Sequence, residues 1–412
     1  MRRQLAAYSP LAPRALLAAT GAALRPARGG ADRLLALLAA RHGAASGLLC
    51  GSGTQALQLA VSAAHAAAGD ASAPVALPAY TCFEVASAAV GADVPIALYD
   101  VDPLTLSPDL DSLERVLAAG ARVMVAAWTY GYPPAWRDVL SLAQKHGAIV
   151  IEDAAQGHGA AWRGRAAGGF GALSVLSFGR GKGWTGGRGG ALLSRAAEIE
   201  LPAIPAAGTM EEFANVAVAA AQWMLGRPSL YALPAAVPGL ALGETVYHPP
   251  RPPSALPRTA AVLLRRTRAA AEREADARRR NARALLDAIS GIPGIRRMRP
   301  VDGADPGFLR LPVLLDRALP AEAARLGVIR GYPTPLGSLD AVRPRLAGPE
   351  RRWPGAEELA ARLVTLPTHS RLTPRDLEAI VSMLHGGTTP PIPARGFDGS
   401  MDVDPTEPPV YV

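Results

Sequence analysis

Lysine is nearly absent from this chain. Of its 43 Lys and Arg residues, only Lys145 and Lys182 are lysine. Arginine does not shed its proton to become a nucleophilic amine, so amine chemistry can fall only on those two positions. Cysteine is as scarce. Cys50 and Cys82 cannot build a disulfide framework, which points to a reducing, cytoplasmic setting. Long apolar runs are missing too. The most apolar stretch, 213–243, is interrupted by Arg227, Pro228, Pro234 and Pro238 before it reaches spanning length. It reads as packing or a peripheral membrane contact. The start, Met1-Arg2-Arg3 followed by apolar 15–24, carries Pro10, Pro13 and Gly21 and no cleavage site before Arg25. That is a helix rather than a signal peptide. No internal repeat and no set of metal ligands stands out.

The remainder is globular in composition. At 412 residues and 49% hydrophobic, the chain exceeds one ordinary core and predicts two domains. The net charge of +8 raises the question of nucleic acid. The arginine clusters at 265–268 and 278–283 are interspersed with Glu272, Glu274 and Asp276 at helical spacing, which reads as a solvated helix face. No nucleic-acid partner is expected, and a phosphorylated substrate would suit the positive balance.

After a helical lead-in over roughly 10–42, short apolar runs alternate with helical segments. Runs at 75–77, 96–99, 123–128, 148–151, 174–178 and 190–193 read as strands. Helices fall near 54–68, 83–90, 109–119 and 134–146. This alternation predicts an α/β fold with a mostly parallel sheet covered on both faces. The Pro-rich 248–253 marks a boundary. It divides a large domain (1–248, with the N-terminal helical segment) from a smaller C-terminal α/β domain (254–387) that opens with a long helix near 257–290. A Pro- and Asp-rich tail (388–412) is expected to be disordered.

Three blocks carry the chemistry, each following an apolar run. Gly51-Ser-Gly-Thr54 opens a helix, where glycines and free N–H groups suit a phosphate; a Gly-rich turn with a Thr cap fits it equally. Asp153 stands at a strand end with Gln156 close behind, placed either to pair with a protonated ring nitrogen or to cap the next turn. Ser177 offers a phosphate hydrogen bond or is an ordinary strand-end serine. Lys182 lies in a loop of seven glycines between 179 and 190, without the spacing of a Walker A motif. An anion cradle, a carboxylate and an amine are the parts that hold pyridoxal phosphate and bind it covalently.

With their order, these blocks resemble the DegT/StrS-type sugar aminotransferases, a family of fold type I enzymes. The likeness lies in Gly53-Thr54, Glu152-Asp-Ala-Ala-Gln-Gly-His-Gly-Ala160 and Ser177-Phe-Gly-Arg-Gly-Lys182. Weaker echoes are Pro78-Ala-Tyr-Thr81, Tyr99-Asp-Val-Asp102 and Leu366-Pro-Thr-His-Ser370. The resemblance implies that Lys182 forms the covalent link to pyridoxal phosphate and moves protons. It implies that Gly53, Thr54 and Ser177 hold the phosphate, Asp153 the pyridinium and Gln156 the ring oxygen. It further implies a homodimer that passes an amino group from an amino acid, glutamate being the expected donor, to a keto group of a nucleotide-linked sugar. A noncatalytic regulatory or scaffold relative is the alternative, as is a dehydratase using the amino form of the cofactor. In that dehydratase the lysine becomes histidine, so Lys182 opposes it. Cys82 stands where the family stacks an aromatic, beside Phe83. Gly183 stands where Asn is frequent and Arg188 where an acid is common. The family's cross-subunit Asn has no counterpart near 250–256.

Overall fold

The structure, a computed structural model, describes residues 3–25, 29–235 and 245–386. The tail expected at 388–412 lies outside the described residues. The expected lead-in helix is two, α1 (Pro13–Leu24) and α2 (Gly30–His42). The large sheet then forms from β1 (Ser46–Cys50), β2 (Val75–Pro78), β3 (Ile96–Tyr99), β4 (Val123–Ala127) and β5 (Ile149–Asp153). After a small hairpin, β6 (Ala161–Trp162) and β7 (Arg165–Ala166), come β8 (Leu173–Ser177) and β9 (Gly190–Ser194). Between them lie α3 (Gly53–Ala67), α4 (Phe83–Gly91), α5 (Leu110–Ala118) and α6 (Trp136–Lys145).

The seven strands lie in the order β1-β9-β8-β5-β4-β2-β3. All neighbours pair in parallel except at β9, which is antiparallel to both β1 and β8. The fold is therefore α/β with a mixed, mostly parallel sheet. Its strands are continuous apolar runs because helices cover both faces. Every parallel strand delivers its carboxyl end to the same edge, where ligands collect in open sheets of this kind.

Helices α7 (Thr209–Leu225) and α8 (Pro228–Ala235) follow, and then the 31-residue α9 (Arg258–Ala288). A second, wholly antiparallel sheet is built from β10 (Ile295–Arg297), β12 (Leu311–Leu315), β13 (Ile329–Arg330) and β14 (Leu363–Leu366). The two-residue β11 (Ala304–Asp305) pairs instead with β6. Helices α10 (Pro354–Arg362) and α11 (Pro374–Leu384) complete it. Helix α9 ties the two parts together. Leu264 and Ala271 pack among side chains of the large sheet, while Ala282 and Leu285 join those of the second sheet.

The solvated reading of the second arginine cluster fails at Arg278, which is 1% exposed. Its guanidinium reaches under the loop between β8 and β9, with Glu274, also buried, supplying the nearby opposite charge. Among the described residues, no helix is long and apolar enough to cross a membrane.

Candidate active site

At the carboxyl edge of the sheet, α3 begins directly against the end of β8. Ser52 caps this helix, its Oγ accepting from the Gln55 N–H at 3.1 Å. The cap expected of Thr54 thus belongs to Ser52, and Thr54 stands in the first turn. A Cβ on Gly53 would come 2.7 Å from the Ser177 Cβ and 2.8 Å from its Oγ. Only glycine lets the helix start and the Ser177 hydroxyl approach so closely.

Asp153 ends β5 and is buried. Its Oδ1 accepts the Ala155 N–H at 3.0 Å. Burial raises this carboxyl above the ordinary range; the Ala155 amide and the Lys182 charge oppose the rise. Burial likewise pushes the Cys82 thiol up, and again the Lys182 charge opposes it. The charge of Lys182, in the loop after β8, is thus close enough to act on both Asp153 and Cys82.

The loop is held in shape around that lysine. Gly181 and Gly183 flank it at φ +74° and +81°, the left-handed region where a side chain is strained. A Cβ on Gly183 would also collide with the Arg278 Nη1, so both backbone and space call for glycine there. Arg278 donates to the His158 carbonyl at 2.6 Å, and the Gly183 N–H donates to Ser9 Oγ at 3.0 Å. The Trp184 indole donates to the Leu264 carbonyl at 3.0 Å. Burial, with Arg278 close by, lowers His158 to about 3, so it is a neutral spacer here.

Glu152, beside Asp153 in the same block, is fully buried. It accepts from the Trp128 indole, the Gly168 N–H and the Phe170 N–H, each at 2.7 Å, and from the Ser174 hydroxyl at 2.6 Å. Arg195 lies 3.8 Å away and donates to Ser174. This network fixes the end of β5 and so the place of Asp153.

Gln156 is fixed from two sides. Its Oε1 accepts the Tyr130 N–H at 3.1 Å, and its amide donates to the Tyr332 hydroxyl at 2.7 Å. Tyr332 comes from the second sheet's part of the chain. It stacks on Tyr130 at 5.5 Å between ring centroids and 14° between planes, and meets Tyr80 at 5.3 Å. Tyr130 holds φ +55°, a strained setting for an aromatic residue. Arg310 lies 5.5 Å over its ring. Burial raises all three phenols, Tyr130 to about 12, so they stay neutral.

Six residues singled out from sequence thus come to one edge: Gly53, Thr54, Asp153, Gln156, Ser177 and Lys182. Sequence reasoning missed Tyr130, Tyr332, Arg310 and Glu84. The Thr54 hydroxyl donates to Glu84 Oε2 at 2.5 Å, and Glu84 Oε1 lies 3.2 Å from His248 Nδ1. The only signal for the aromatics was composition, since three of nine tyrosines gather here. A separate cavity of about 250 Å³, lined by Arg41, His42, His158 and Arg279, shares Ser177 with the site but reaches neither Asp153 nor Lys182. Among the described residues, no group of three His, Cys, Asp or Glu side chains could hold a metal ion.

Residues 31–205 match the model of the DegT/DnrJ/EryC1/StrS aminotransferase family. An L-glutamine:2-deoxy-scyllo-inosose aminotransferase from Streptomyces kanamyceticus is 36% identical over 143 residues, 35% of this chain and 33% of that protein. A UDP-N-acetyl-3-dehydro-alpha-D-glucosamine 3-aminotransferase from Acidithiobacillus ferrooxidans is 33% identical over 40% of this chain and 45% of its own. A pleiotropic regulatory protein from Geobacillus stearothermophilus is 32% identical over 35% and 38%. The alignments span less than half the length of these relatives. The fold match is longer. A putative sugar aminotransferase from Streptococcus pneumoniae, solved in its PLP form, superposes with a TM-score of 0.71 over 92% of this chain and 97% of that one. It is 16% identical.

Proposed function

We propose that the chain is a pyridoxal phosphate-dependent aminotransferase of the DegT/DnrJ/EryC1/StrS family, whose model its residues 31–205 match. The observation that carries this reading is the close approach of the α3 start to Ser177 at the carboxyl edge of the sheet, beside a buried Asp153 on which the Lys182 charge acts. The residues fit the cofactor. Asp153 keeps a carboxylate whose basicity burial has raised, and no protein hydrogen bond engages the Lys182 amine or the Ser177 hydroxyl among the described residues.

Bound there, pyridoxal phosphate supplies an aldehyde for imine formation and an electron-poor ring that takes up the electron pair of a broken C–H bond. Asp153 would hold the proton on the ring nitrogen. Ser177 and the N–H groups at the start of α3 would hold the phosphate. Gln156, braced by Tyr130 and Tyr332, would face the ring oxygen. Lys182 would be the covalent anchor and the acid/base that moves a proton off the donor's α-carbon in one half-reaction and onto the acceptor's carbon in the other. Arg310, above Tyr130, is the cation placed to read a donor carboxylate.

The acceptor we infer is a ring ketone of a sugar, nucleotide-linked in the form favoured here, with glutamate or glutamine as donor. The names of the two aminotransferase relatives span a nucleotide-linked sugar and a free cyclic polyol, and one specifies glutamine. We also propose a homodimer working in the cytoplasm. Leu17 and Leu24 on α1 and Met210, Phe213 and Met224 on α7 stand exposed, an apolar surface that a second subunit would cover.

An absorbance spectrum with added cofactor, then borohydride reduction and peptide mapping, tests the reading. The expected result is a visible band and a pyridoxyl adduct on Lys182, both lost in Lys182→Ala. Absence of both from the unaltered protein would favour the noncatalytic reading. Glu84 on Thr54 and the regulatory relative support that alternative.

A further inference from the structure

Two helix starts meet, and the first of them lies against Ser177. Helix α3 brings Thr54, and α4 brings Glu84 in its own first turn. The Thr54 hydroxyl has a single proton, and it goes to the Glu84 carboxylate. His248 stands on the other oxygen of that carboxylate. Resting on the cofactor reading above, we propose that Glu84 is a specificity residue that competes with the cofactor's phosphate for the cradle. The Thr54 hydroxyl cannot donate to a phosphate while it donates to Glu84. A phosphate dianion seated on Ser177 and the α3 start would also stand beside the carboxylate that Thr54 holds, and like charges there repel. Both helix starts favour an anion, so the site has one positive end and two candidates for it. Glu84 is the resident candidate, steadied by His248.

The contest concerns only the phosphate end of the ligand. Asp153, Gln156 and Lys182 meet the ring and the aldehyde, which pyridoxal shares with its phosphate ester. Removing Glu84 therefore tightens the ester and leaves the free aldehyde alone.

The experiment titrates wild type, Glu84→Gln and Glu84→Ala with pyridoxal phosphate and, separately, with pyridoxal. Binding is read from the visible band, and borohydride adducts are mapped to Lys182. The expected result is about tenfold tighter pyridoxal phosphate binding in Glu84→Ala, with pyridoxal moving less than about threefold. Glu84→Gln, which keeps the size and loses the charge, moves the same way. Adducts with both aldehydes but an unchanged preference between them would overturn the role of Glu84 and leave the cofactor reading standing. No adduct with either aldehyde in any of the three proteins would overturn both.

Discussion

Glu152→Gln is the substitution whose cost the structure states most directly. The carboxylate accepts four hydrogen bonds, two on each oxygen, in a place without solvent. Glutamine keeps the volume but presents an NH2 to one pair of donors. If that NH2 replaces Oε1, it faces the Trp128 indole and the Gly168 N–H; if Oε2, the Phe170 N–H and the Ser174 hydroxyl. The serine can rotate, but each backbone or indole donor left without an acceptor costs about 1–3 kcal/mol. Arg195, largely buried, also loses its carboxylate at 3.8 Å. The sum is about 3–5 kcal/mol, in the range for breaking a buried charged pair. In urea this appears as a midpoint lowered by roughly 1 M. Because Glu152 fixes the end of β5, the Lys182 adduct with pyridoxal phosphate should fall along with stability. A loss below about 1 kcal/mol would mean the network does not anchor the strand, and the account of how Asp153 is placed would fail.

Asp153→Asn should leave the borohydride adduct on Lys182 intact and lower transamination by about 100-fold or more, since an amide cannot hold the ring proton; equal loss of adduct and rate would assign Asp153 to binding alone. Gly183→Ala should cost about 2 kcal/mol in chemical unfolding, from its positive φ and the encounter with Arg278, and weaken trapping at Lys182. A neutral result would remove Arg278 as a support of the loop. Acid should destabilise the protein earlier than its carboxylates alone would. Burial lowers His42 and His369 from 6.5 to about 4 and His158 to about 3, so between 6.5 and those values the unfolded chain binds more protons than the folded one. Stability then falls as pH falls through that window, by up to about 4 kcal/mol per unit if all three titrate together. Asp153 and Glu274, raised by burial, act in the opposite sense and flatten the lower end. Urea midpoints that stay level from about pH 7 to 5 would contradict neutral burial of these histidines.

The strands of the large sheet were legible because burial on both faces writes them as short apolar runs, and β2, β3, β4, β5, β8 and β9 lie where those runs stand. Strand ends then placed Asp153, Ser177 and Lys182, since a parallel sheet aligns its carboxyl ends without further information. What the chain brings in from a distance was not legible. Tyr332 lies 176 residues beyond Gln156 and reaches it only because the second sheet folds back. Glu84 reached Thr54 through the packing of α4 on α3, which no local pattern announces. Arg278 is a different kind of failure. Ala271, Ala275, Arg278, Ala282 and Leu285 are all buried, at steps of four, three, four and three residues, the stripe by which a helix shows its inner face. The arginine's charge argued for solvent while its position argued for burial. Position prevailed because a guanidinium can be buried when it finds a carbonyl, as at His158, and a carboxylate such as Glu274 nearby. On a long helix linking two sheets, a charged residue in register with the apolar stripe should be read first as a support for whatever crosses that face. Here what crosses is the loop that carries Lys182.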